Sequence, residues 1–200
     1  MLIPANNPML ADFVSPPLGF ELLRYTFYSR KCISAGAWPS ETVFFSDQVG
    51  VGGATTRDTN MTKPAAMGNP RRFLMQWINC AIYSVSATST SVPTSILDDV
   101  SQVLYQTHLR IELLDKEYLT CPTFHIPAGG GLSGATGVVA TEFGTSGSPD
   151  KKNAYPVELP LEREASFAFR LRNAVTGGFT TSVDLYVEYL LTGLLLRPNQ

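Results

Sequence analysis

Hydrophobic and polar residues alternate with a period of two along several stretches of the chain. In Thr107–Leu114, the residues Leu109, Ile111 and Leu113 alternate with Arg110 and Glu112. Phe167, Phe169 and Leu171 alternate with Ala168, Arg170 and Arg172, and Val183, Leu185, Val187 and Tyr189 alternate with Asp184, Tyr186 and Glu188. Such alternation predicts strands with one face on a core and the other toward water or a neighbour. Arg72–Tyr83 predicts a longer strand, with Phe73, Met75 and Trp77 on one face and Leu74, Gln76 and Ile78 on the other. Glu41–Phe45 predicts a short strand, and Asp115–Lys116 a tight turn into a strand over Glu117–Cys121. Helical spacing occurs in Ile96–Tyr105, where Leu97, Val100 and Leu104 follow the capping residues of Pro93-Thr94-Ser95. That helix reads as a short crossover between strands.

Three loops rich in Gly, Ser or Thr separate these elements: Gly50–Gly68, Ala128–Gly137 and Phe143–Asn153. Many strands, little helix and long loops predict an all-β fold, an antiparallel β-sandwich. Long loops at the ends of such a sandwich point to the jelly-roll type. No repeat of fixed period suggests a propeller or solenoid. The start of the chain differs. Pro4, Pro8, Pro16 and Pro17 predict that Met1–Gly19 is neither helix nor central strand. Yet Leu2, Ile3, Met9, Leu10, Phe13 and Val14 make it more apolar than a disordered tail. The expectation is an extended arm over residues 1–22 and a single sandwich domain over 23–200. The arm docks either on a neighbour or on its own domain.

Composition changes the picture in one respect. Of the 200 residues, 44% are hydrophobic but only 16% are charged, against roughly 25% in an ordinary soluble protein. A chain short of charge has either large uncharged polar loops or surface meant for partners, and this one shows features of both. A net charge of −2 offers no basic excess to bind a phosphate backbone. Cys32, Cys80 and Cys121 make neither a disulfide framework nor a C-x-x-C pair, so a reducing cytoplasm is the expected place of synthesis. The first basic residue is Arg24, and the longest apolar stretch, Tyr189–Leu196, is broken by Thr192 and Gly193. Neither a secretion signal nor a membrane span is expected.

The candidate chemistry is thin. Gly129-Gly130-Gly131-Leu132-Ser133-Gly134 matches G-x-G-x-x-G in letters, but no helical pattern follows to receive a pyrophosphate. His108 and His125 stand apart, without the spacing of a metal site, and read as polar strand residues. Asp98-Asp99 suits the start of a helix, and Glu162-Arg163-Glu164 a solvated turn. The aromatics, Phe44, Phe45, Phe73, Trp77, Phe167 and Phe169 among them, read mainly as core. The expected reading is therefore no enzyme, no cofactor and no metal. The candidate interface residues are Leu2, Ile3, Leu10 and Phe13 on the arm, with Trp38 and Phe179 in loop-like positions. These last two are also candidates for an exposed platform that binds carbohydrate.

Four stretches carry a resemblance: ETVFF at Glu41–Phe45, the Gly-rich loop with Asp58-Thr59-Asn60-Met61, RRFLMQWINCAIYS from Arg71, and LRIELLDKEYLTCPTFHIPAGGG from Leu109. Together they resemble the small single-jelly-roll head proteins of bacteriophages. The resemblance is to a pattern of strands and loops and transfers no functional residue. It implies a virion protein of the head that self-associates, often as a trimer, and acts as cement or decoration on a capsid shell protein. The alternatives are a jelly-roll that builds the shell itself, or a carbohydrate-binding module associated with the tail.

Overall fold

The computed structural model describes residues 8–84, 94–126 and 154–199. Two antiparallel four-stranded sheets face each other across a core. The strands are β1 (Phe20–Ile33), β2 (Gly36–Ala37), β3 (Glu41–Phe44), β4 (Arg72–Tyr83), β5 (Thr107–Leu113), β6 (Lys116–Pro122), β7 (Tyr155–Leu161), β8 (Phe167–Asn173), β9 (Thr180–Thr181) and β10 (Leu185–Pro198). One sheet has the order β1-β10-β4-β7 and the other β3-β8-β5-β6, while β2 and β9 form a small ribbon. The fold is an antiparallel all-β sandwich, as the alternation predicts.

The inward residues are those the period-two pattern nominates on β5, β8 and β10. Leu109, Ile111, Phe167, Phe169, Leu171, Val187 and Tyr189 are all buried in one cluster. Aromatic rings join the two sheets: Phe44 meets Tyr189 edge-on at 4.8 Å, and Phe169 lies 6.2 Å from Tyr189. Edge-on contacts at such spacings favour the ring quadrupoles beyond the area they bury.

Strand β4 departs from the expected faces. Its ladders to β10 and β7 slip between Met75 and Trp77, so Gln76 is an extra residue opposite β10. A bulge of this kind moves every later side chain to the other face. Ile78, Cys80 and Ile82 therefore join Phe73 and Met75 in the core, and Trp77 turns to the outer face, half-buried. The bulge also presses backbone against backbone. A Cβ added to Gly193 would lie 1.9 Å from the Leu74 carbonyl oxygen, so only glycine fits there.

The connection from β4 to β5 carries α2 (Thr94–Gln106), slightly longer than the helix expected. Ile96, Val100, Val103 and Leu104 are buried against the main core. The turn from β5 to β6 is the two-residue Leu114–Asp115, with φ of 48° and 63°. Two successive left-handed residues make a twist that suits a hairpin.

The N-terminal segment contains a helix, α1 (Pro8–Val14), where the prolines predict neither helix nor central strand. Proline needs no donor in a first helical turn, so Pro8 can begin the helix. Pro16 and Pro17 fall after its end. Strand β1 starts at Phe20, within the span assigned to the arm.

Candidate interaction surfaces

The outer face of each sheet is organised differently. Across β3, β8, β5 and β6 runs a lattice of ion pairs. Glu41 holds Arg170 at 2.5 Å and Arg172 at 2.6 Å. Arg170 also reaches Glu112 at 2.7 Å, and Arg110 bridges Glu112 at 2.7 Å and Glu117 at 3.0 Å. Burial works against the Glu41 charge, but the hydrogen bonds from Arg172 and Arg170 outweigh it and lower its pKa. Three arginines and three glutamates thus satisfy one another, and the face presents little unbalanced charge.

The outer face of the other sheet carries α1 at one end. Phe13 packs on Leu74 and Leu196, flanked by Leu10, Phe20, Leu22 and Leu194. The Arg72 guanidinium lies over the Phe13 ring at 5.4 Å and pairs with Asp12 on the helix and with Glu162 at 2.6 Å. Farther along the same sheet, Arg30 sits 4.8 Å above the Tyr186 ring and pairs with Asp58 at 2.6 Å. That bond and two hydrogen bonds from Thr55 hold the Asp58 carboxyl down at about 2. Glu188 nearby is pushed the other way, its pKa raised by burial.

Strand β1 would expose an unpaired edge, but residues 58–60 close it. The Arg30 amide donates to the Asp58 carbonyl at 2.7 Å, and the Tyr28 amide to Asn60 Oδ1 at 2.9 Å. Thr59 Oγ1 donates to the Tyr28 carbonyl at 3.1 Å, and Asn60 Nδ2 to the Thr26 carbonyl at 2.8 Å. A short loop therefore covers the middle of this edge, Thr26 to Arg30, and blunts it against other chains. Pro156 and Pro160 lie on the opposite edge strand, β7.

Of the residues expected at an interface, Leu2 and Ile3 lie outside the described residues. Leu10 and Phe13 are brought together on α1, and Phe13, 5% exposed, is occupied by its own sheet. Trp38 is also 5% exposed and stacks on the half-buried Phe179 at 5.3 Å. The two rings face each other and the core, so they do not form the exposed platform expected for carbohydrate. The most exposed apolar residues are instead Leu18 and Val14, at 103% and 84%, in the segment that ends and follows α1. Tyr105 and Phe124 form a second exposed pair, 5.5 Å apart, with His125 beside Phe124. Sequence spacing could not find that pair, because α2 and the turn after β6 bring the two rings together from distant positions.

The acidic residues weighed for catalysis have other partners. Asp99 is 4% exposed. Its Oδ2 accepts from the Ser182 amide and hydroxyl, both at 2.7 Å, and from the Val183 amide at 3.1 Å. It ties α2 to the turn before β10. Glu162 holds Arg72 instead of standing in a solvated turn. His125 is exposed in a short 3-10 turn, not a strand, whereas His108 lies on β5. Among the described residues no group of three His, Cys, Asp or Glu is placed to hold a metal. The Gly129–Gly134 motif and the two later Gly-rich loops lie outside the described residues. An open groove of about 520 Å³ runs beside Lys31, Cys32, Asp47 and Val51. No family model, curated protein or solved structure matches the chain.

Proposed function

We propose that this chain is a structural protein of a bacteriophage head, a jelly-roll block that self-associates, a trimer being favoured, and cements the capsid shell. The observation that carries the reading is the strand order. Leaving out the two-residue strands β2 and β9, the remaining eight, counted along the chain, lie in the orders 1-8-3-6 and 2-7-4-5. First pairs with last, second with seventh, third with sixth and fourth with fifth. Such pairing supports one long hairpin rolled into two sheets, the jelly-roll plan that recurs in viral capsid and lectin domains. The treatment of charge agrees. Arg30, Arg72, Arg110, Arg170, Arg172 and Arg197 are all tied into ion pairs within the chain. These six arginines, already paired within the chain, can meet copies of it, or a shell, without being desolvated as unpaired ions.

The test is co-sedimentation of the purified protein with heads assembled without it. The expected result is saturable binding at a fixed ratio to the shell subunit, by a protein of multiple-chain mass in light scattering. A monomer that leaves the heads bare refutes the reading. The same strand order favours a second reading, in which the chain builds the shell itself. Closed particles formed by this protein alone, seen by electron microscopy, would select it.

A further inference from the structure

We propose that α1 is an exchangeable latch: in the assembled protein it leaves its own sheet and seats on the same site of a neighbouring copy. The inference rests on the self-association in the proposed function and names the surface that mediates it. The seat is defined by its present occupant. Phe13 fills an apolar site made by Leu74 and Leu196, and Asp12 meets Arg72 at its rim. Every copy carries the same helix and the same seat, so a second copy's α1 fits by the same contacts. Exchange therefore costs no interaction that the single chain makes between helix and sheet.

The connection has the character of a hinge. Residues 14–19, Val-Ser-Pro-Pro-Leu-Gly, are all exposed. They are held by three main-chain bonds: the Ser15 amide to Ala11, the Phe20 amide to Pro17 across a turn whose Gly19 has φ +84°, and the Asn199 amide to Gly19 at the hinge's far end. Pro16 and Pro17 stiffen the path between α1 and the turn at Leu18–Gly19. The exposed Val14 and Leu18 flank this hinge. In an exchanged pair the two hinges run side by side, and these side chains gain cover that the single chain does not give them. A helix of seven residues has little stability of its own. It is therefore ordered only when seated, and since the short tether favours its own seat, trans seating requires copies held side by side at comparable concentration, as on a shell.

Trans-complementation tests this. Asp12→Arg and Arg72→Asp each break the ion pair within one chain. When the two variants are mixed after brief unfolding, exchange restores every pairing in a reciprocal pair and two of the three contacts in a ring of three. The arginine introduced on one variant's helix meets the aspartate introduced in the other's seat, and the native Asp12 meets the native Arg72 across the second contact. The expected result is an oligomer mass and melting temperature for the mixture that neither variant reaches alone. Arg72→Asp also faces Glu162, so a size pair, Phe13→Ala with Leu74→Trp, repeats the design on the apolar side, with circular dichroism confirming each fold. Mixtures that behave as the sum of their components in both designs overturn the proposal. Head binding is scored separately. Rescue without head binding removes the head reading and leaves the exchange, and head binding without rescue does the reverse.

Discussion

Gly193 offers the sharpest test of the packing between β10 and β4. Replacing it with alanine adds one methyl group, which on an outward strand position would be harmless. Here the added carbon would sit 1.9 Å from the Leu74 carbonyl oxygen, 2.9 Å from the Leu74 carbonyl carbon and 3.0 Å from the Phe73 ring. A side chain could rotate away, but a carbonyl held in a sheet cannot, so the strands must part at the bulge. Overpacking a core costs about 1–3 kcal/mol, and a clash with fixed backbone belongs at the upper end. For a domain of this size about 3 kcal/mol lowers the melting temperature by about 6–12 °C. Urea unfolding followed by tryptophan fluorescence measures it, since Trp38 is buried and Trp77 half-buried beside the bulge. Two glycines serve as controls. Gly68→Ala meets nothing closer than Thr62 Oγ1 at 3.8 Å, so its effect stays within about 0.5 kcal/mol. Gly52→Ala enters open space but at φ +61°, which costs about 1–2 kcal/mol in left-handed strain. The reasoning fails if Gly193→Ala is no more destabilising than Gly68→Ala.

Other outcomes follow from single contacts. Asp99→Ala removes the acceptor of three part-buried hydrogen bonds from Ser182 and Val183 and should cost about 1–3 kcal/mol in urea titration; an effect under about 0.5 kcal/mol would show that the tie between α2 and the turn before β10 is unimportant. Asp58 has a folded pKa of about 2, below its usual value of 3.8. Its contribution is therefore complete above about pH 4 and lost as pH falls toward 2, and Asp58→Asn should flatten stability across that window, measured by melting from about pH 2 to 5. Glu188 has the opposite sign, because its raised folded pKa, above the usual 4.5, favours the protonated form. Its contribution is present at acid pH and disappears as pH rises through 4.5 and beyond, so Glu188→Gln should raise the melting temperature at neutral pH and not at about pH 3. Burial lifts Cys80 to about 12 and Cys121 to about 11, while Cys32 is exposed; a thiol reagent at about pH 8 should titrate one cysteine in the native protein and three in denaturant.

The strands legible in the sequence are those with one wet face. Arg110 and Glu112 on β5, and Arg170 and Arg172 on β8, mark the outer positions because, among the described residues, that face is filled by its own ion pairs. Strand β1 gives no such signal, since residues 58–60 and α1 cover parts of it and both faces are mixed. Strand β7 is concealed by Pro156 and Pro160, which only an edge strand tolerates. The faces of β4 invert at Gln76 because a bulge is fixed by the register of its neighbours, not by its own residues. The helix α1 stays hidden while four prolines are treated as equivalent, although Pro8 opens a helix and Pro16 and Pro17 follow one. Of the candidate surface residues, Trp38 and Phe179 look exposed when each is read in its loop. They stack because β2, just before Trp38, pairs with β9, just after Phe179, a contact between distant parts of the chain that local spacing does not encode.

The position of β10 carries one more consequence. It lies between β1 and β4, matched with β1 over the full run from Phe20–Pro198 to Ile33–Leu185. The first long strand therefore has no ladder to join until the eighth arrives, and the third has only the sixth. Until then the first strand of a growing chain stays unmatched and the sheet of β1, β10, β4 and β7 stays open, so its closure comes late. Nascent fragments that stop short of Leu185 therefore leave β1 bare and offer chaperones and proteases a target.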